Sequence, residues 1–163
     1  MKAWLSRIAS ALLTIGWMMI IFGFSGQNSE ESEGLSDRIV DWFLSLVSKG
    51  EASEEVRGAL TLIVRKGAHM TEFAILALLL LWAVVSWTKL RGGKALITAF
   101  IIAVLFASTD EFHQTFVDGR SGRFSDVLID ASGAAIGLFL CALLLRRKKA
   151  DEESSDNSAN LEN

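Results

Sequence analysis

Residues 70–87, MTEFAILALLLLWAVVSW, are apolar apart from Thr71, Glu72 and Ser86. About 20 helical residues cross a hydrocarbon core of about 30 Å, so this run reads as a membrane-spanning helix rather than a buried soluble one. Three more apolar runs accompany it, giving expected spans at about 8–24, 70–87, 95–112 and 127–145. The third is long enough only if Asp110 and Glu111 continue its helix. The fold class expected is therefore all-α: an integral membrane bundle of four transmembrane helices occupying residues 1–149. The tail, 150–163, is rich in Asp, Glu, Ser and Asn with almost nothing to bury, and is expected to be disordered.

Composition agrees with that reading. A chain of 163 residues that is 51% apolar, with a mean hydropathy of +0.38, has room for one domain and is too apolar for an ordinary soluble one. The 16 Lys+Arg and 19 Asp+Glu fall almost entirely between the apolar runs, so the net charge of −3 says little about partners. The bilayer is the expected partner, no nucleic acid is expected, and no oligomeric state is indicated. The single cysteine, Cys141, lies inside the last run. It excludes a disulfide framework and a cysteine-based metal site, and reads as a small apolar filler. Proline and tyrosine are absent, so breaks between helices must come from glycine or from polar ends.

The first run, Ile8 to Phe24, follows Lys2 and Arg7 and precedes Ser25-Gly26-Gln27, a pattern that would also suit a secretory signal. Its apolar stretch exceeds the roughly 7–15 residues of a signal core, so an uncleaved anchor is expected. Basic residues fall before the first span (Lys2, Arg7), between the second and third (Lys89, Arg91, Lys94) and after the fourth (Arg146-Arg147-Lys148-Lys149). The positive-inside bias puts these on the cytoplasmic side, an N-in/C-in arrangement with the first connection and the 110–126 connection outside.

In the first outer connection, Ser36-Asp37 suits the cap of a short amphipathic helix with apolar positions Ile39, Val40, Phe43, Leu46 and Val47, lying on the outer membrane surface with Trp42 at headgroup level. A second start at Ser53, with Glu54 and Glu55 in its first turn, is expected to run on into the second span.

Ionisable residues recur at one depth. Trp87 to Glu72, Ala95 to Asp110 and Leu145 to Asp130 are each 15 residues, which puts each carboxylate about 22 Å from the inner boundary, still inside the core. Such groups are costly against lipid and must face one another, a cation or water. Arg65, Lys66 and His69 lie near Glu72; His113, Arg120 and Arg123 follow Asp110 and Glu111. His69 and Glu72, Asp110 and His113, and Asp126 and Asp130 are spaced to share helix faces. Gly133 or Ala134 and Gly137 continue the acidic face of the fourth span, allowing close approach, so that face looks inward. Asp126 and Asp130 sit at a favourable helix N-terminus, whereas Asp110 and Glu111 sit at an unfavourable C-terminus. The expectation is that Arg120 and Arg123 fold back as bidentate partners, with their loop packed over the bundle.

Four blocks resemble the VanZ-like family of membrane proteins: Phe24-Ser25-Gly26-Gln27; Arg65-Lys66-Gly67-Ala68-His69-Met70-Thr71-Glu72-Phe73; Asp110-Glu111-Phe112-His113-Gln114-Thr115-Phe116 with Gly119-Arg120; and Asp126 with Gly133 and Gly137. The resemblance covers roughly residues 10–145, and four blocks in register are specific where one would be weak. Asp130 stands where many relatives would carry Asn. The resemblance implies a four-span protein of the bacterial cytoplasmic membrane, and a link to low-level resistance to teicoplanin-type glycopeptides. It implies no particular reaction.

Three readings of the cluster follow. In the first, Arg65, Lys66, His69, Glu72, Asp110, Glu111, His113, Gln114, Arg120, Arg123 and Asp126 bind an outer-leaflet ligand, such as an envelope lipid, a lipid-linked cell-wall intermediate or a lipoglycopeptide. The arginines and lysine would take phosphate or carboxylate, and Gln114 a sugar or peptide group. In the second, the chain is a membrane-surface hydrolase or transferase whose acid–base groups come from His69, Glu72, Asp110, Glu111 and His113. A metal variant is disfavoured, because neither His-x-x-Glu nor Glu-x-His is a specific ligand spacing and four basic side chains crowd the region; no metal and no cofactor is expected. In the third, the same charges form a structural ion-pair network that locks helix register.

Overall fold

Backbone amides in an apolar surrounding need partners within their own segment, which favours long uninterrupted helices. The computed structural model of the chain describes residues 2–47, 52–120 and 122–161, and these contain five helices and no strand. They are α1 (Lys2–Ser25), α2 (Ser29–Val47), α3 (Glu54–Trp87), α4 (Gly92–Gln114) and α5 (Phe124–Leu161). Four of them, α1, α3, α4 and α5, are long and apolar enough to cross a membrane, and each contains one expected span. Asp110 and Glu111 do continue the helix of the third.

α3 is the hub, packing against all four other helices. Lipid tails are as apolar as leucine, so helix association in a bilayer rests on close packing and polar contacts rather than on escape from water. Both devices are present. A Cβ built on Gly133 of α5 would lie 2.1 Å from the Met70 carbonyl oxygen of α3, and one on Gly137 would lie 3.0 Å from Ala74. α4 contributes Ala95, Ala99, Ala103 and Ala107, a fully buried methyl at every fourth residue, and the buried Asp110, Glu111 and Gln114 extend that face.

At one end, Arg7 Nε donates to the Ser86 carbonyl at 2.9 Å and Trp87 Nε1 donates to the Arg7 carbonyl at 3.1 Å. Arg91 shares a groove with Leu145, and Arg146 one with Leu96, so the three basic sets meet at this end. The outer surface of the spans is apolar, with Leu12, Met19, Leu105 and Leu144 among the side chains turned outward. Trp4, Trp42 and Trp87 are exposed as well, whereas Trp17 and Trp82 are half-buried and hydrogen-bonded.

Ser53 caps α3, accepting from the Val56 N–H at 3.4 Å, with Glu54 and Glu55 in the first turn. Its 34 residues extend about 51 Å, well beyond a core of about 30 Å. α2 packs antiparallel along the surplus: Asp41 pairs with Arg57, Asp37 Oδ1 accepts from Thr61 Oγ1 at 2.7 Å, and Glu33 meets Arg65 at 3.5 Å.

One expectation needs correction. The helix of the first connection is longer than the Ser36-Asp37 cap implies: it starts at Ser29, after Asn28 at the N-cap position, and Ser36 is buried within it. Its packed face uses Ser36, Val40 and Leu44, while Ile39, Trp42, Phe43 and Leu46 are exposed; the side chain of Val47 lies outside the description. α5 runs on through Leu161, with Lys148 3.8 Å from Glu152, and 162–163 lie outside the described residues. With no glycine or proline after Gly137, a helix already nucleated in the apolar run extends at little cost.

Candidate functional site

At the end of the bundle opposite the basic turns, two layers of polar side chains lie side by side. The deeper layer closes α4 onto α5. Glu111 accepts through Oε1 from Gln114 Nε2 at 3.1 Å and through Oε2 from the Arg123 backbone N–H at 2.9 Å. Gln114 Nε2 also donates to Asp110 Oδ2 at 3.3 Å, and Gln114 Oε1 accepts from Arg120 Nη1 at 3.1 Å. Lys66 Nζ donates to Asp126 Oδ1 at 2.5 Å, tying α3 to α5 at the mouth.

The connection 115–123 folds back over α4 as expected. Gly119 takes a positive φ of 74°, which reverses the chain. Gly122 sits so close to the Glu111 carbonyl that a Cβ would fall 2.2 Å from it. The two arginines differ from their expected geometry, however. Arg123 reaches Glu111 through its backbone N–H, and Arg120 reaches the neutral amide of Gln114 rather than a carboxylate. Burial pushes the Arg120 guanidinium below the usual arginine range and the adjacent Arg65 adds to that, while Asp110, Glu111 and Glu72 pull it back up. It remains cationic.

The histidines also find partners across helices rather than along them. His69 Nδ1 faces Asp130 Oδ1 at 3.7 Å, and His113 stacks on Phe22 of α1 with centroids 4.1 Å apart while staying within electrostatic reach of Asp110. The reason is geometric: spacing along one helix sets a common face, but the close α3–α5 approach at Gly133 sets what that face meets. Glu72, Asp110, Glu111 and Asp126 all lie within electrostatic reach of Asp130, so acids from α3, α4 and α5 do converge.

Ser25 lies against Asp110, while several buried polar atoms in this region lack a hydrogen-bond partner: His113 Nδ1, Arg120 Nε and both carboxyl oxygens of Asp130. Asp110 and Asp130 are 0% and 1% exposed. Unsatisfied groups at such depth are expensive, and clustered ones mark a site where a proton, water or ligand completes the set.

Beside this layer is a cavity of about 420 Å³ between the end of α1, α2, α3 and the 115–123 loop. Of the residues the sequence singles out, Arg65, His69, Glu72 and Arg120 line it; Lys66, Asp110, Glu111, His113, Gln114, Arg123 and Asp126 do not, and form or flank the supporting layer. The sequence reading missed Arg38, Phe24, Leu35 and Ile39 in the lining. Leu35, Arg38 and Ile39 are spaced to share one face of α2, a signal that was available. It also missed Trp17, whose Nε1 donates to the Glu72 carbonyl at 2.9 Å and fixes α1 at this level. Among the described residues no three His, Cys, Asp or Glu side chains are arranged to share one metal ion.

A family model described as VanZ/LLP1 matches residues 10–145, from the third turn of α1 through the apolar part of α5. No curated protein and no solved structure matches the chain.

Proposed function

Because the chain belongs to the VanZ/LLP1 family and carries four helices able to cross a membrane, we propose that it binds an amphiphile of the outer leaflet of the bacterial cytoplasmic membrane. The basic end faces the cytoplasm by the positive-inside bias, which leaves the cavity on the extracytoplasmic side. The observation that carries this reading is the mixed lining of that cavity. Phe24, Leu35, Ile39, Val64 and Ala68 supply an apolar wall, and Arg38, Arg65, His69, Glu72 and Arg120 a polar one. Apolar walls with a few convergent polar groups are the usual make-up of a small-molecule site.

The supporting layer fits the same reading. Lys66–Asp126, Glu111–Arg123 and Gln114–Asp110 hold the walls in place, leaving Arg120 with a neutral partner and a free Nε. An envelope lipid, a lipid-linked cell-wall intermediate or a lipoglycopeptide would each offer an anionic or amide-rich head on an apolar tail. Capture of a teicoplanin-type lipoglycopeptide, or of the intermediate it targets, is how the cavity would contribute to tolerance.

The test is native mass spectrometry of the protein released from membranes in mild detergent. A retained amphiphile is expected on the wild type and is expected to be lost from Arg120→Gln at unchanged abundance. Equal retention by both proteins, or none by either, would overturn the reading.

One observation favours a second reading, acid–base chemistry at the membrane surface. His69 lines the cavity while its Nδ1 faces the buried Asp130, the arrangement in which a carboxylate orients an imidazole. His69→Gln that retains the amphiphile but halts its turnover would support it.

A further inference from the structure

Resting on the amphiphile reading above, we infer that the head this cavity takes is a phosphate dianion, a phosphomonoester or diphosphate, with its hydrocarbon tail leaving laterally past Phe24, Leu35 and Ile39. Three guanidinia from three separate elements meet at the cavity: Arg38 from α2, Arg65 from α3 and Arg120 from the loop. Glu72 is the one carboxylate in the lining, so the wall carries a formal excess of two positive charges with His69 neutral.

Asp110 and Glu111, outside the lining, lie within electrostatic reach of Arg120, but the direct partners of the three guanidinia are few. Neither Arg38 nor Arg120 makes an ion pair among the described residues. Arg65 holds only Glu33, at 3.5 Å, and Glu33 is 57% exposed, so this pair is weak and exchangeable. Arg120 keeps a buried Nε with no acceptor. Guanidinia left unpaired in a partly dehydrated pocket require anionic oxygens, and their planar fork matches phosphate bidentately. A phosphodiester offers one charge and a zwitterionic head none net, whereas a terminal phosphate or diphosphate supplies the second charge and extra oxygens.

The route for the tail comes from exposure. Phe24 at the end of α1, and Leu35 and Ile39 on α2, line the cavity yet remain substantially exposed, so its apolar side opens between α1 and α2 toward the surrounding lipid.

The experiment is a lipid titration of the full chain in detergent micelles, read by native mass spectrometry. The probes are phosphatidic acid, phosphatidylglycerol and phosphatidylcholine of matched chains, with inorganic pyrophosphate and palmitate as competitors. Phosphatidic acid is expected to bind about tenfold tighter than phosphatidylglycerol, and Arg38→Gln, at an exposed position, is expected to erase most of that preference. Pyrophosphate should displace phosphatidic acid only at much higher concentration, because it lacks the tail. Equal binding of phosphatidic acid and phosphatidylglycerol by the wild type would overturn the dianion inference while leaving the amphiphile pocket standing. Palmitate competing as well as phosphatidic acid would also overturn it, in favour of a carboxylate. Pyrophosphate binding as tightly as phosphatidic acid would replace the lipid by a soluble phosphate, and binding of none of these lipids would remove both readings together.

Discussion

Gly133 of α5 rests directly on the backbone of Met70 in α3, one residue beyond His69, so a very close helix contact lies at the floor of the charged cluster. Enlarging Gly133 must therefore separate the two helices that carry Lys66, His69, Asp126 and Asp130. Gly133→Ala is expected to lower stability by about 1–3 kcal/mol, and Gly137→Ala, whose Cβ would meet Ala74 at 3.0 Å, by less. Thermal unfolding in detergent, followed by tryptophan fluorescence, checks the order; equal effects of the two would contradict it.

Lys66 and Asp126 form a half-buried cross-link between α3 and α5 at 2.5 Å. Removing either partner alone leaves a charge in a poorly solvated place. Lys66→Met and Asp126→Asn are each expected to cost about 1–3 kcal/mol, and the double variant less than their sum. A double-mutant cycle that proves additive would show the pair to be energetically silent.

His113 stacks on Phe22 and does not line the cavity. On this geometry it is a packing group that joins α1 to α4. His113→Phe is expected to keep the melting temperature near that of the wild type and leave lipid retention intact, whereas His113→Ala should lower stability by about 1–3 kcal/mol. Loss of retention in a well-folded His113→Phe protein would instead assign the imidazole a role in binding.

Lys66, Arg120 and Arg65 crowd His69, which disfavours a metal cation there and predicts that exhaustive chelation leaves both the melting temperature and lipid retention unchanged. Elemental analysis of the purified protein should find no stoichiometric metal, and a stoichiometric ion released together with lipid binding would reverse this expectation.

The orientation is testable by labelling. In a Cys141→Ala background, Asp118→Cys is expected to react with a membrane-impermeant maleimide on intact cells, and Lys89→Cys only after permeabilisation. The opposite pattern would put the cavity on the cytoplasmic side.

Much of this architecture was legible in the sequence because it depends on local features. Span lengths follow from apolar runs, the cap at Ser53 from residue type, and the inward face of the fourth span from its small residues four apart. The shared depth of Glu72, Asp110 and Asp130 follows from helical rise. Cross-helix pairing was not legible, since spacing along one helix fixes a face but not the rotation of the neighbour that meets it. That is why spacing puts His69 and Glu72 on one face without showing that His69 meets Asp130, or that His113 meets Phe22. Arg38 was overlooked for a related reason: it enters the cavity only because α2 doubles back along α3, a register set by Asp41–Arg57 and Asp37–Thr61.

The alanine ladder of α4 has a mechanical corollary. A row of methyl groups at Ala95, Ala99, Ala103 and Ala107 lets α4 pack closely along most of its length. Its hold on the returning loop is concentrated at the far end, where Glu111 accepts from the Arg123 N–H and Gln114 accepts from Arg120. Those two side chains thus fasten the loop that brings Arg120 to the cavity wall.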